Sequence, residues 1–540
     1  MAKTKNTTKQ RISLKAPMGG LYRRQSYQAH PPFTTPDCSN VRPDTTLEDR
    51  ERIGARPGLV DHGTLAAGVS WTSTDNVRLL SQVRYLDSGS WVTKLVAVVD
   101  QEIWWKTGNE TAQWTKVTDD GSTALVTGTD SLTAADMHQK LYIADGGPTH
   151  SIKVYDPSDD TVESTPTFVV NGGSKPVKCK IVLRYHDRLV MCEDGDNPQR
   201  WYMSRSGTPL DFDFSETDAL AAIYSQNTNM GQLGEPIRAA APHGDQCIIF
   251  LCDNSTWTLR SDPGFGGRLD NLSQRIGCVS RNAWCRTSEG WLFWLSQEGV
   301  CAMAPGCGDQ PISVSRERVP DDLMFVQNDE YHVSMEYDAR HRGIHLYITP
   351  IGTNPAKTHY WLDIKQTVTG DKGASPTYWP MTLSKNPVCT GVYEGAANDN
   401  VSDVLLGTES PPVVRQFDER IPCEAASYCD YGPLPTMGKK DSGYTTGSLD
   451  QINAVMASSA ANGTGDNVAW SIRTGQSAEE AFDASARDTG TWRYHNNLTR
   501  VRVRDPYYVL RVSGAANKNW AVENVSTIIQ PRTKIRFTGG

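Results

Sequence analysis

Arg188-Leu189-Val190-Met191-Cys192 is an apolar run of strand length. Glu193-Asp194-Gly195-Asp196-Asn197-Pro198 follows as a block of turn formers, and Arg200-Trp201-Tyr202-Met203-Ser204 returns as a second strand. Strand, polar turn, strand is the signature of an antiparallel hairpin. Toward the amino terminus the same grammar recurs: 91–99 passes Asp100-Gln101 into 102–106, and 140–143 passes Asp145-Gly146-Gly147 into 151–155. Toward the carboxy terminus, 246–252 turns at Asp253-Asn254-Ser255 into 256–259, and 290–295 turns at Gln297-Glu298-Gly299 into 300–303. Further pairs are 343–348 with 358–363, and 388–393 with 404–407.

The hairpin turns fall roughly 40 to 55 residues apart, about seven before Arg420, which is the period of four-stranded propeller blades. The fold class read from this is all-β. It comprises a β-propeller of about six or seven blades, an extended N-terminal arm and a C-terminal β-sandwich-like domain. The expected divisions are an arm over 1–62, the propeller over 63–421 and a β-rich domain over 422–540. Five clustered prolines (Pro31, Pro32, Pro36, Pro43, Pro57) leave the arm few strand-length apolar runs, so it drapes over the body or reaches a neighbour. The boundary near 422–435 is marked by small and turn residues. Beyond it alternation returns at 468–473, 499–504, 507–512 and 520–529. Only 218–224 and 478–486 read as helix candidates.

Composition agrees. The chain has 540 residues, of which 38% are hydrophobic and 21% charged, enough apolar mass for a core and too much for a unit of one ordinary domain's size. It carries 45 Gly, 30 Pro, 15 Trp and 20 Tyr, a turn-rich, strand-favouring set. Apolar runs such as Leu95 to Val99 are far short of the roughly 20 residues a membrane helix needs. The polar, basic first dozen residues contain no signal-peptide hydrophobic segment. No membrane insertion and no Sec-type secretion are expected.

Net charge is −8, unevenly spread. Lys3, Lys5, Lys9, Arg11, Lys15, Arg23 and Arg24 precede the first acid, Asp37, so these seven cations leave −15 on the rest. A basic arm on an acidic body is a candidate partner- or nucleic-acid-binding tail, whereas the acidic body is unsuited to tight duplex binding. Arg500, Arg502 and Arg504 share one face of one strand and could grip an acidic partner surface. The twelve cysteines form no C-x-x-C pair and several sit inside apolar strands, which reads as mostly reduced core thiols in a protein assembled in a cytoplasm.

Catalytic signatures are missing from the sequence: there is no phosphate loop, H-E-x-x-H, EF-hand loop or G-x-S-x-G elbow. His341 and His345 (with His332 nearby) have i, i+4 spacing, but on a strand that separates them by about 13 Å, too far for one metal. Asp194/Asp196 and Glu479/Glu480 read as turn and surface carboxylates rather than a glycosidase pair, and Trp104-Trp105 as filling between blades. Neither cofactor nor metal is expected.

Several stretches, in order, resemble a known family. His186-Asp187-Arg188-Leu189-Val190, Asn197-Pro198, Trp201-Tyr202-Met203-Ser204 and Gly207-Thr208-Pro209-Leu210-Asp211-Phe212 resemble an "N-R-L … N-P … W-S … G-D-P-x-D-F" series. Gly234-Glu235-Pro236-Ile237-Arg238, Ser255-Thr256-Trp257-Thr258-Leu259, Ile276-Gly277-Cys278-Val279-Ser280 and 290–300 continue it. Met18-Gly19-Gly20-Leu21 and Arg56-Pro57-Gly58 look like the "G-G-L … R-P-G" opening. This series is similar to that of tail nozzle, or tail stabilisation, proteins of short-tailed bacteriophages. It is ordered over 175–305 and fades beyond 330, and the arm departs from it with a basic start and a polar insertion at 45–51.

The resemblance implies a non-enzymatic virion protein, assembled in the host cytoplasm. It would form a ring, a hexamer in this family, below the portal and adaptor proteins. It would meet tail fibres or spikes and let genomic DNA pass without specific binding. On this reading the ring contacts fall to the arm cations, Arg56 and the Arg500/Arg502/Arg504 row, and deletion of 1–24 should leave the propeller folded. The alternatives are a glycan-binding or glycan-degrading propeller and a neck or tail-completion protein of a longer-tailed phage.

Overall fold

The computed structural model describes residues 9–43, 52–72, 74–117, 130–147, 152–225, 232–319, 321–365, 375–394, 402–436, 447–457, 467–493 and 496–531. The protein is all-β and propeller-like, and no helix among the described residues is long and apolar enough to cross a membrane.

Among the described residues, seven sheets share one plan of four antiparallel strands, the first extended by Thr64–Leu65, which pairs parallel with Gln113–Lys116. Each starts with a strand that packs beside the first strand of another sheet: Val77–Asp87, Thr133–Met137, Ile181–Tyr185, Ile237–Pro242, Trp284–Arg286, Tyr331–Asp338 and Pro387–Tyr393. In the first three sheets the turn to the second strand has two residues. Ser88-Gly89, His138-Gln139 and His186-Asp187 all have positive φ, the turn whose twist matches that of paired strands. The second-to-third-strand turns are the ones legible from the sequence, including Glu193–Pro198 between Arg188–Cys192 and Trp201–Met203.

Two features depart from the expected divisions. The fourth strand of the seventh sheet is Gly58–Asp61, which pairs antiparallel with Val414–Asp418, so the chain's early segment completes its last sheet. The segment before it also pairs with distant strands of the body. Gln10–Leu14 pairs with Ala521–Pro531, Val41–Pro43 and Ile53–Ala55 extend that six-stranded sheet, and Cys38–Ser39 adds to a five-stranded one headed by Ser427–Pro435. Leu14, Met18 and Leu21 are buried there because the strands they precede or occupy have an apolar sheet face to cover. The two sheets share a core in which Ile452, Val501 and Val525 of one meet Trp470, Leu510 and Val512 of the other, and Tyr508 Oη lies 3.0 Å from Thr527 Oγ1.

Of the two helix candidates, 478–486 is a helix only over Ala478–Asp483, capped by Ser477, whose Oγ accepts from Glu480 N. The stretch 218–224 is instead a turn leading into a two-residue strand. The Asp218 carboxylate accepts from Leu220 N, a local bond that competes with helix. Ten cysteines are buried free thiols, but Cys247, read as a core thiol, is disulfide-bonded to Cys307.

Candidate functional site

The first strands enclose a channel of about 510 Å³ to which every one of the seven sheets contributes, through Leu80, Ala134, Leu183, Pro242, Cys285, Met335 and Thr390. Its wall mixes apolar side chains with the polar Arg184, Arg281, Asn282, Arg286 and Glu336. Burial pushes the Glu336 carboxyl up to about 7, against a backbone hydrogen bond from Tyr337.

At the end where the first strands begin, a second cavity of about 240 Å³ is lined by charged residues. Arg281 is its hub. It donates to Ser131 O (3.1 Å) and to Glu193 Oε1 (3.3 Å), and lies 3.8 Å from Asp130, which also holds Lys180 at 3.2 Å. Arg238 is paired to Asp253. Glu193 sits in the left-handed region (φ 55°), and its Oε2 is buried without a hydrogen-bond partner. Burial raises its pKa more than Arg281 and Lys180 lower it. Burial also tends to raise Asp130, but Arg281 and Lys180 outweigh it and hold that carboxyl below the usual range. Each cation here has a carboxylate partner, so the mouth is a network of ion pairs.

The other sequence candidates fall into place as structure. His341 is in the turn before Gly343–Pro350, not on the strand, so both histidines reach one carboxylate: Nδ1 of His341 is 2.7 Å and Nε2 of His345 3.7 Å from Asp338 Oδ2. The expected 13 Å separation therefore does not hold. Burial pulls the His341 imidazole down, but hydrogen bonds to Asp338 and to Glu419 (2.8 Å) leave it above its ordinary value. His332 lies apart, at the channel mouth. Among the described residues, no cluster of three or more His, Cys, Asp or Glu has the arrangement of a metal site. Asp194 is not a surface residue: it is buried and accepts from Tyr202 Oη (2.8 Å) and from Asp196 N.

The predicted assembly residues divide sharply. Lys3 and Lys5 lie outside the described residues, as does the 45–51 insertion. Arg56 is fully buried. Its guanidinium forks onto Glu424 (2.7 and 3.1 Å) and donates to Asn40 Oδ1, Thr382 O and Pro57 O. Arg23 pairs with Asp322 (2.7 Å), Lys15 lies over the Phe33 ring, and Arg24 is exposed near Glu317. Lys9, Arg11, Arg500, Arg502 and Arg504 are solvent-facing. Sequence reasoning missed Arg188, whose environment shows its work: it is fully buried, bonded to Asp262 (2.7 Å), and donates to the carbonyls of Ser204, Ala219, Leu220 and Ala221. Its position in the Arg188-Leu189-Val190 element was the available signal.

No family model and no curated protein matches the chain. Among solved structures, a streptogramin B lyase is similar at 9% identity and TM-score 0.37 over 67% of this chain and 98% of that one. The extracellular domain of a hybrid two-component system from B. thetaiotaomicron is similar at 11% identity and TM-score 0.39, over 74% of this chain and 43% of that one. The BBS1N chain of a complex with ARL6DN is similar at 12% identity and TM-score 0.35, over 67% and 98%. These are likenesses of fold, and no activity is taken from their names.

Proposed function

We propose that the chain is a structural ring subunit, the tail nozzle of a short-tailed phage, in which seven sheets are the blades of one closed propeller and the two carboxy-terminal sheets are a sandwich. The observation that carries this reading is what the resembling residues do: they are joints. Leu21 N donates to Tyr378 O of the sixth sheet, and Arg56 ties the early segment to Glu424. Gly58 opens the strand that completes the seventh sheet, while Arg188 locks the loop that leads into the last strand of the third. Pro198 O accepts from Ile237 N, linking third and fourth sheets. Trp201 stacks on Phe250 between those sheets. A binding or catalytic role would put such residues at a cavity with reactive atoms exposed; here they are buried or half-buried and hold sheets together.

The subunit's own channel, at about 510 Å³, has the capacity of a small-ligand pocket and cannot pass a duplex. On this proposal DNA runs through a lumen between six copies, past an acidic body that does not hold phosphate. Electron microscopy of the purified chain, alone and with a portal–adaptor complex, tests it. Closed rings docked below the adaptor are expected. A chain that stays monomeric on its own and on that complex would overturn the proposal.

A further inference from the structure

Lys9 and Arg11 of the basic arm and the carboxy-terminal arginine row, more than 480 residues apart in sequence, occupy one face of one sheet. The register makes this explicit: Arg11 is opposite Ile528, Ile528 opposite Gln451, and Gln451 opposite Arg500. These four form a single cross-strand row about 14 Å long at the ordinary strand spacing. The next row is Ser13, Ser526, Asn453 and Leu498, with Leu498 66% exposed. Arg500, Arg502 and Arg504 are exposed while Val501 and Val503 between them are buried. Among the described residues, their strand, Asn496–Val503, is the edge of the sheet, hydrogen-bonded to Gly447–Ala457 on one side only. Lys9, Arg11, Arg500, Arg502 and Arg504 stand against two acids in the neighbouring strands, Asp450 and Glu523, leaving this side of the sheet about three charges positive by count.

We infer that this sheet face is the ring contact, and that its occupant is the acidic flank of a second copy of the same chain centred on segment 205–219. This inference rests on the ring reading above. Charge complementarity selects the occupant. Segment 205–219 holds Asp211, Asp213, Glu216 and Asp218 against one cation, Arg205, three charges negative. Arg205 is shared between Glu216 and Asp218, whose side chains remain about half exposed.

Geometry supports the same pairing. The sheets that carry the basic face are moored on the sixth sheet, through Asn40 N to Pro380 O and Arg56 Nη2 to Thr382 O. The acidic segment packs by Phe212 and Phe214 against the second and third sheets, half way round the seven. Opposite flanks of opposite charge are what a head-to-tail, heterologous contact needs. An exposed edge strand with a row of cations does not pair with a copy of itself, which removes the two-fold alternative.

The test is sedimentation and imaging of the full chain in four forms. Wild type should form rings that loosen as salt is raised, since exposed pairs are screened. Arg500→Glu/Arg502→Glu should weaken association by about tenfold or more while leaving the melting curve unchanged, because both side chains are in solvent. Asp213→Lys/Glu216→Lys should do the same, and mixing the two variants should restore mixed assemblies. If wild type forms no ring, the functional proposal fails. If wild type forms rings that neither variant disturbs, this contact is wrong and the ring stands. A labelled DNA duplex in polarisation assays separates the remaining occupant: loss of DNA binding with unchanged assembly in Arg500→Glu/Arg502→Glu would overturn the inference in favour of nucleic acid.

Discussion

Replacing Arg56 with Met tests whether the early segment is a structural closure. The guanidinium has no exposed surface and makes five hydrogen bonds, two of them a fork onto Glu424. Removing one member of a buried pair costs about 3–5 kcal/mol, because the other charge stays behind. The Glu424 side chain is 21% exposed, so water can partly replace the lost donor. Asn40 and Thr382 also lose partners, and Asn40 is nearly inaccessible, which keeps the cost at about 3–4 kcal/mol. The amides of Gly58 and His62, which donate to Ile421 O and Val414 O, report directly on the closing strand. Hydrogen exchange there should speed up by about a hundredfold to a thousandfold, at about 1.4 kcal/mol per factor of ten. Arg56→Lys should recover only part of the protection, since an ammonium cannot fork. Unchanged exchange at Gly58 and His62 in Arg56→Met would refute the closure.

Glu336→Gln should remove a pH dependence. Its carboxyl is raised from 4.5 to about 7, so the folded state holds a proton the unfolded state has lost, and wild type loses stability as pH rises through that window; the variant's melting temperature should gain on wild type between those pH values and level off above them. Gly277→Ala puts a Cβ 2.1 Å from Asp253 O and 2.3 Å from Cys252 O, backbone atoms that cannot yield, and should cost about 3 kcal/mol in denaturant titrations; Gly234→Ala, in open space, should cost much less. Native protein should be inert to a thiol reagent, with ten thiols appearing only in denaturant. Deleting 1–8 should leave the fold intact, whereas deleting 1–24 strips buried Leu14, Met18 and Leu21, at about 1.5–3 kcal/mol each, and should open the carboxy-terminal sheets to protease.

Local chemistry was legible in the sequence, and closure was not. The hairpins at 188–204, 246–259 and 290–303 could be read because strand, turn and strand are contiguous. The arginine row at 500–504 could be read because alternation is a local property. Gln10–Leu14 could be read only as part of an arm draped over the body or reaching a neighbour, because its partner, Ala521–Pro531, lies some five hundred residues away, and the five residues bury little until that partner arrives. Gly58–Asp61 was placed in an arm for the same reason. The two histidines on Asp338 were missed because a strand was assumed to run through His341, where the chain in fact turns. Arg188 stood in the deciding stretch, but an arginine at a strand's start reads as solvated, and only the fold shows Asp262 and four carbonyls around it.

That early strands complete both units has an energetic logic. Closing a flexible loop of the roughly 350 residues between Gly58 and Val414 costs about 5 kcal/mol beyond the constant term, as (3/2)RT ln n. Four residues of strand pairing, at about 1 kcal/mol per hydrogen bond, do not offset this alone. The Arg56 fork does not close the gap as a net term, but it resists opening, because parting it would leave a buried charge unpaired. Pairing of 10–14, 38–43 and 53–55 with the carboxy-terminal sheets then makes closure of the seventh sheet and completion of the last two sheets one event, because the same stretch of chain feeds both. A chain built this way cannot open its seventh sheet without also loosening the face that carries Arg11 and Arg500, so the order of that face and the closure of the seventh sheet rise and fall together.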